Sequence, residues 1–454
     1  TQPFTLAAYP AYSFHPALST SQANLTLAPL LYESLFTVDS TFTATPQLCQ
    51  SYTVSEDGLT WTLQLRAGVT FSDGTPLTGE IVAQALQTAK DPASRYAKRL
   101  ANVSGVSGSG DQVTITLTVP NGALPTLLDI PIALDSSSRP LGTGPYVLSE
   151  QNGKLYLNAR EDWWQGADSL SIKQIPLATM TQKEQVGTAF NSGEVTLIDA
   201  DITGSNELGY SGSYEVWEYN TTGLIYLGFQ TAHGVCQKAE VRQAIAKAID
   251  RSYVTDSVYA RHATAATLPV HPDSALYDAE LAQELEYDLS ALKALELDGK
   301  SLTLLVNIED MAKSAAANRI EEDLESAGLR VTVERLAWED YVKALERGQF
   351  DLYLAEVYLT ADFDLTSLIS PQGELNYGGW NDAAIPGLLD NVRRAQGDER
   401  VERMTTLLRY LNQNAPIAPI CFREGTVLTQ YDRVENLSPV QGNVFSNLSQ
   451  WTVK

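Results

Sequence analysis

Residues suited to redox and metal chemistry are scarce in this chain. Its 454 residues include three cysteines, three methionines and four histidines. Cys49, Cys236 and Cys421 lie far apart and are odd in number, so no disulfide framework is implied and at most one bridge could form. There is no Cys-x-x-Cys, and His15, His233, His262 and His271 lack the His-Glu-x-x-His spacing, which removes the strong metal-site patterns. His233 with Cys236 is a lone pair in a loop. No Gly-x-Ser-x-Gly nucleophile elbow occurs, and Ser290 to Lys293 fits Ser-x-x-Lys without its companion motifs, inside an acidic, Leu-rich helix. No run of about 18 apolar residues is present, so no membrane-spanning helix is expected. Basic residues are also few: 31 against 55 acidic ones give a net charge of −24. That field repels phosphate backbones and anionic lipid, which argues against nucleic acid as a partner. The residues point to no enzyme chemistry and no cofactor.

What is present is a large core-forming chain. With 44% hydrophobic residues and 454 positions, two or three domains are expected rather than disorder or one core. The most ordered stretch is Asp57 to Leu86. Asp57-Gly58 signals a turn, and from Thr60 to Arg66 apolar residues alternate, placing Trp61, Leu63 and Leu65 on one strand face. Val69 and Phe71 repeat the alternation after Ala67-Gly68, and Ser72-Asp73-Gly74 turns the chain again. Thr78 then caps a helix whose first turn holds Glu80 and whose Ile81, Val82, Ala85, Leu86 and Ala89 form an apolar face.

The unbroken string SEDGLTWTLQLRAGVTFSDGTPLTGEIV resembles the signature region of the extracytoplasmic solute-binding proteins that serve dipeptide, oligopeptide and nickel ABC importers. Further matches run the length of the chain. They are Phe14-His15-Pro16, Tyr32-Glu33-Ser34-Leu35, Gly142-Thr143-Gly144-Pro145-Tyr146, AEVRQAIAKAIDR over Ala239 to Arg251, and Asn376-Tyr377-Gly378-Gly379. Gly79, Ile81 and Ser34 depart from the family pattern. The two glycines near Gly142 do not make a phosphate loop, lacking the third glycine, the lysine and the following helix.

This resemblance implies an α/β, bilobed periplasmic-binding-protein-like fold (type II, cluster C), with a hinge and a small inserted subdomain. The expected division is residues 1–40, 142–228 and 427–454 in lobe I, 41–141 in the inserted subdomain, and 229–426 in lobe II. Independently, the helix 182–191 followed by Gly193-Glu194 and the strand 195–198 is echoed by helix 338–347, Gly348-Gln349 and strand 350–354, which suggests two similar lobes. Strands alternating with helices predict a mainly parallel sheet.

The family likeness also implies a monomer that captures a small-molecule or peptide ligand and passes it to ABC permease and ATPase subunits. It implies extracytoplasmic location, free in a periplasm or held at the cell surface. Membrane attachment is expected only through a removed lipid anchor; a chain starting at Thr1 fits a processed product. A nickel or metal-chelate receptor, or a peptide-sensing protein on the same fold, is the alternative.

In open α/β sheets ligands sit beyond the carboxyl ends of strands. The strand from Phe350 delivers Tyr358 to Asp364 to such a place. By its match to the family, Asp362 would anchor the α-ammonium of a peptide, with Asp364 as a second carboxylate and Tyr358 and Phe363 beside it. Tyr377 and Trp380 are candidates for stacking at the cleft rim, and Glu33 for a ligand-facing carboxylate. Arg66, Arg242 and Arg251 read as scaffold salt bridges or surface charge.

Overall fold

The computed structural model describes residues 2–203 and 209–454. The described residues form two compact α/β units, one built from 2–202, 209–219 and Gly425–Lys454, the other from Thr203 and Asn220–Glu424. It leaves the first unit within the strand Tyr214–Phe229 and returns within the strand Ile417–Gln430. Among the described residues no helix is long and apolar enough to cross a membrane.

In the first unit, period-two alternation gives the strand Thr60–Leu65, with Trp61, Leu63 and Leu65 at most 2% exposed. Burying side chains of this size contributes about 2 kcal/mol each. The strand joins the antiparallel order Cys49–Val54, Thr60–Leu65, Gln112–Leu117, Val103–Ser109. The helix Gly79–Ala89 closes this sheet's apolar cluster with Val82 and Leu86, and Thr78 caps it by accepting from the Ile81 N–H at 3.3 Å. The segment 41–141, read as an inserted subdomain, lies inside this unit. Val69 and Phe71 are buried as the pattern predicts but form no strand. The turn at Asp73-Gly74 folds the chain back at once, with the Phe71 N–H on the Thr75 carbonyl (2.8 Å) and the Leu77 N–H on the Val69 carbonyl (2.9 Å).

A second sheet of this unit has the order Leu6–Ala8, Gln174–Thr179, Lys154–Ala159, Tyr146–Gln151, its first pair parallel and the others antiparallel. Gly142 and Gly144 press against the backbone of Leu31: a Cβ on Gly142 would lie 2.0 Å from the Leu31 carbonyl oxygen. Close backbone approach is what the two glycines provide.

In the second unit the strand Ser301–Asn307 pairs in parallel with Arg330–Leu336 on one side and Leu352–Tyr358 on the other. The crossover helices Met311–Ser326 and Trp338–Glu346 return the chain to run the same way. The expected mainly parallel sheet is confined to these three strands. Gly223–Phe229 joins Leu352–Tyr358 antiparallel. The helix expected over Ala239 to Arg251 ends at Lys247; Asp250 starts a new turn, Arg251–Tyr253, by accepting from the Tyr253 N–H at 3.1 Å.

Arg242 and Arg251 are not the salt bridges or surface charges expected of them. Both are buried, and both donate to backbone carbonyls instead of pairing with acids. Arg242 donates to the carbonyls of Cys236 (3.0 Å), Gln237 (2.7 Å), Asn414 (2.8 Å) and Ala415 (3.1 Å), tying the start of one helix to the end of another. Arg251 reaches Pro419, Ala246 and Leu285 in the same way. Arg66, in the first unit, donates to the Gln47 carbonyl and lies over the Trp164 ring. The cysteines are all free and buried, and burial pushes the Cys236 and Cys421 thiols up to about 12.

Replacing Arg242 by methionine strands four carbonyls without their charged donor. The expected loss is about 3 kcal/mol, read as a lower urea midpoint. A midpoint unchanged in Arg242→Met would show that water or neighbouring donors replace the guanidinium.

Candidate functional site

Each unit offers a candidate surface. In the second, the strand Leu352–Tyr358 ends with the Tyr358 ring 58% exposed, over Gly223 of the neighbouring strand. Beyond it the chain is held by its own polar groups. The Thr222 hydroxyl donates to the Leu359 carbonyl (2.5 Å), and the Leu359 N–H donates to the Thr222 carbonyl (3.1 Å). Asp362 is 5% exposed, and its carboxylate accepts from the Thr360 hydroxyl and the Asp364 N–H. Burial, reinforced by Asp364, pushes its carboxyl above the ordinary range, while Thr360 and the Arg400 guanidinium pull it back. Asp364 caps the helix Thr366–Ile369, accepting from the Thr366 N–H (3.1 Å) and hydroxyl (2.6 Å). Phe363 takes the left-handed conformation (φ 53°) and turns its ring into the core, edge-on to Phe422 at 6.0 Å. Within this structure Asp362 organises its loop, and the exposed group of the segment is Tyr358.

Tyr358, Asp362 and Phe363 are thus brought together, but Tyr377 and Trp380 are not placed with them. Their loop is fixed at the other end of the sheet, where Thr231 donates through both its N–H (2.9 Å) and its hydroxyl (2.7 Å) to the Gly378 carbonyl. Thr231 follows Phe229, which pairs with Leu352, whereas Tyr358 pairs with Gly223. Six residues of strand separate the two ends, roughly 20 Å. Trp380 is buried and clamped by the Asn376 side chain, and Tyr377 packs edge-on to Tyr353 at 6.0 Å. A Gly-Gly loop reads the same in sequence whichever end of a strand it covers.

Sequence reasoning missed Ile308, Met311 and Trp338, which are 54%, 76% and 55% exposed. Ile308 directly follows the parallel strand Ser301–Asn307, Trp338 opens the helix one residue after the strand Arg330–Leu336, and Met311 opens the helix after the first strand. Glu309 caps the Trp338 helix through the Trp338 N–H at 2.6 Å. The available signal was an apolar residue just past a strand, which alternation rules do not register. Nearby in the fold, Arg423 pairs with Glu356 at 3.3 Å.

In the first unit, Glu33 is 4% exposed and fully engaged. It accepts from the Trp164 indole (2.7 Å), the Thr143 hydroxyl (2.8 Å) and the Gln165 amide (2.8 Å). Burial raises its pKa and these donors lower it. The open feature of this unit is elsewhere, a pocket of about 420 Å³. Its walls come from the strand Leu6–Ala8 and Tyr9, the helix Gln22–Thr26, Thr181 to Val186, and the strand Leu197–Asp199. Asn24 fixes one wall, accepting from the Tyr9 N–H (2.8 Å) and donating to the Tyr9 carbonyl (2.9 Å). The Tyr9 hydroxyl reaches across to the Gln182 carbonyl at 2.9 Å. At the end of its strand Asp199 accepts from the Tyr219 hydroxyl at 2.8 Å. Burial first, with Asp201 adding to it, pushes its carboxyl up to about 6 against the pull of Tyr219. Among the described residues no three His, Cys, Asp or Glu side chains gather as a metal site.

Compared with known proteins, residues 43–376 match the family described as bacterial extracellular solute-binding proteins, family 5 Middle. The glutathione-binding protein GsiB of Shigella flexneri is 28% identical over 338 residues, 68% of this chain and 64% of that protein. The matched region therefore spans less than two thirds of the curated relative. HbpA2 from Haemophilus parasuis has the same fold at TM-score 0.82 and 21% identity, with both chains fully covered. The oligopeptide-binding protein AppA from Bacillus subtilis, solved with a nonapeptide, aligns at TM-score 0.66 and 18% identity, covering 100% of this chain and 99% of that one.

The Asp199 geometry predicts a pH-dependent stability. A carboxyl whose pKa is raised on folding contributes stability that is complete below its unfolded value, near 3.8, and lost as pH rises through about 6. At pH 7.5 Asp199→Asn is therefore expected to raise stability by about 1 kcal/mol, a figure reduced because the residue is only half-buried. Thermal melts from pH 4 to 8 check this, since the advantage should vanish toward pH 4.

Proposed function

Because the chain belongs to the bacterial extracellular solute-binding proteins of family 5, we propose that it is the solute-capturing component of an ABC importer for short peptides. It acts outside the cytoplasm, binds without transforming, and hands its ligand to a membrane permease powered by an ATPase partner. The family match over residues 43–376 carries this reading. A relative named for glutathione, itself a tripeptide, and a fold neighbour solved with a nonapeptide support the peptide class.

The two surfaces fit the role. The first unit's pocket of about 420 Å³ lies in the range typical of small-ligand sites. On the second unit, Tyr358 with Ile308, Met311 and Trp338 offers exposed apolar and aromatic groups for side chains of a peptide. Asp362 shapes the loop after Tyr358 in this reading. The net charge of −24 favours approach of cationic over anionic solutes.

A thermal-shift screen tests this with glutathione, di- to pentapeptides, single amino acids, oligosaccharides, and nickel with and without small chelators. A ligand that binds only the folded state stabilises it by about 2.7 kcal/mol at one hundred times Kd. Upward shifts with peptides, and intact peptides recovered afterwards, are expected. Shifts confined to a nickel chelate or a sugar, or cleavage of the peptides, would overturn the proposal.

A further inference from the structure

We propose that Asp199 is the counter-ion for a protonated amine of the solute, received in the first unit's pocket. This rests on the solute-binding reading above and names the chemical group that the pocket takes.

Asp199 differs from three other buried or half-buried carboxylates in how few donors meet it. Glu33 is met by Trp164, Thr143 and Gln165; Glu356 is paired with Arg423; Asp362 is met by Thr360 and the Asp364 N–H. Asp199 lines the pocket and accepts one hydrogen bond, from the neutral Tyr219 hydroxyl, with no further donor among the described residues. An ionised carboxylate has about four lone-pair sites, so most of its accepting capacity is unused. Asp201 adds negative charge rather than relieving it.

The pocket suits the hydrocarbon that carries such an amine. Leu6, Ala7, Val186, Leu197 and Ile198 supply apolar wall, and the rings of Tyr9 and Tyr12 meet edge-on at 6.1 Å. Aromatic faces attract cations within about 6 Å. Lys183, the one cation in the lining, is exposed and forms no ion pair with Asp199. A poorly hydrated carboxylate makes a charge-assisted bond to ammonium stronger than an exposed one does.

Isothermal calorimetry on the full chain at pH 7.5, parent against Asp199→Asn, tests the assignment. The probes are trialanine, N-acetyl-trialanine, N-acetyl-Ala-Lys-Ala, and phenethylamine beside its neutral analogue 2-phenylethanol. The expected result is a loss of tenfold or more in the variant for phenethylamine and for one amine-bearing peptide, with 2-phenylethanol unaffected. Loss for trialanine identifies the α-ammonium as the bound group; loss for N-acetyl-Ala-Lys-Ala identifies a side-chain ammonium. If peptides bind parent and variant equally, the peptide reading stands and Asp199 is not the counter-ion. If no peptide binds but phenethylamine still distinguishes the proteins, the pocket assignment stands and the peptide reading fails. Failure of the parent to prefer phenethylamine over 2-phenylethanol overturns the assignment.

Discussion

A charged group taken out of water must be met by dipoles or by an opposite charge, and in this protein the meeting points hold distant segments together. Glu33 gathers Thr143, Trp164 and Gln165 around one carboxylate in the first unit. Arg160 does the converse there, donating to the carbonyls of Gly144 and Phe71. In the second unit Arg242 joins the start of one helix to the end of another, and Arg251 ties a helix start to the strand that leads out of the unit. Breaking such a contact leaves the remaining partner buried and unmet, which costs more than the contact itself contributes.

That arrangement also separates the buried carboxylates by how fully they are met. A buried acid surrounded by short-range donors has its capacity used and its geometry fixed, as at Glu33 and Asp362. An acid that keeps unused acceptor sites beside open space, as at Asp199, carries a standing electrostatic penalty in the unliganded protein. Such a penalty is typical of sites where stability is given up for binding. The same unit therefore holds two carboxylates of opposite character, one closed and one open.

Much of the architecture was legible in the sequence where periodicity and punctuation agreed. Thr60 to Leu65 alternates cleanly and is a strand, and Trp338 to Glu346 lies within about a residue of its predicted span 338–347. Val69 and Phe71 alternate too, but two residues between turns are too few to enter a sheet. The break after Lys247 was hidden because Ala248 and Ile249 continue the apolar face through it. Arg242 and Arg251 could not be read as carbonyl clamps, since their partners lie up to 173 residues away. The candidate surfaces were harder still. Motif likeness drew attention to Asp362 and to the Tyr377 loop, yet only strand register reveals that they sit at opposite ends of one sheet. The pocket at Asp199 joins residues near the N-terminus to a three-residue strand, a juxtaposition without local signature.

The three cysteines, unpaired and sealed in their cores, carry a further meaning. Cys49 lies in the small antiparallel sheet of the first unit, while Cys236 and Cys421 belong to the second. None can react until the structure around it opens, because a thiolate must both form and meet its reagent. Each is therefore a built-in clock for its own region: the pace at which a thiol reagent labels Cys49 follows openings of the first unit, and labelling of the other two follows openings of the second. Regional stability in the two halves of the chain can be timed separately without introducing a probe.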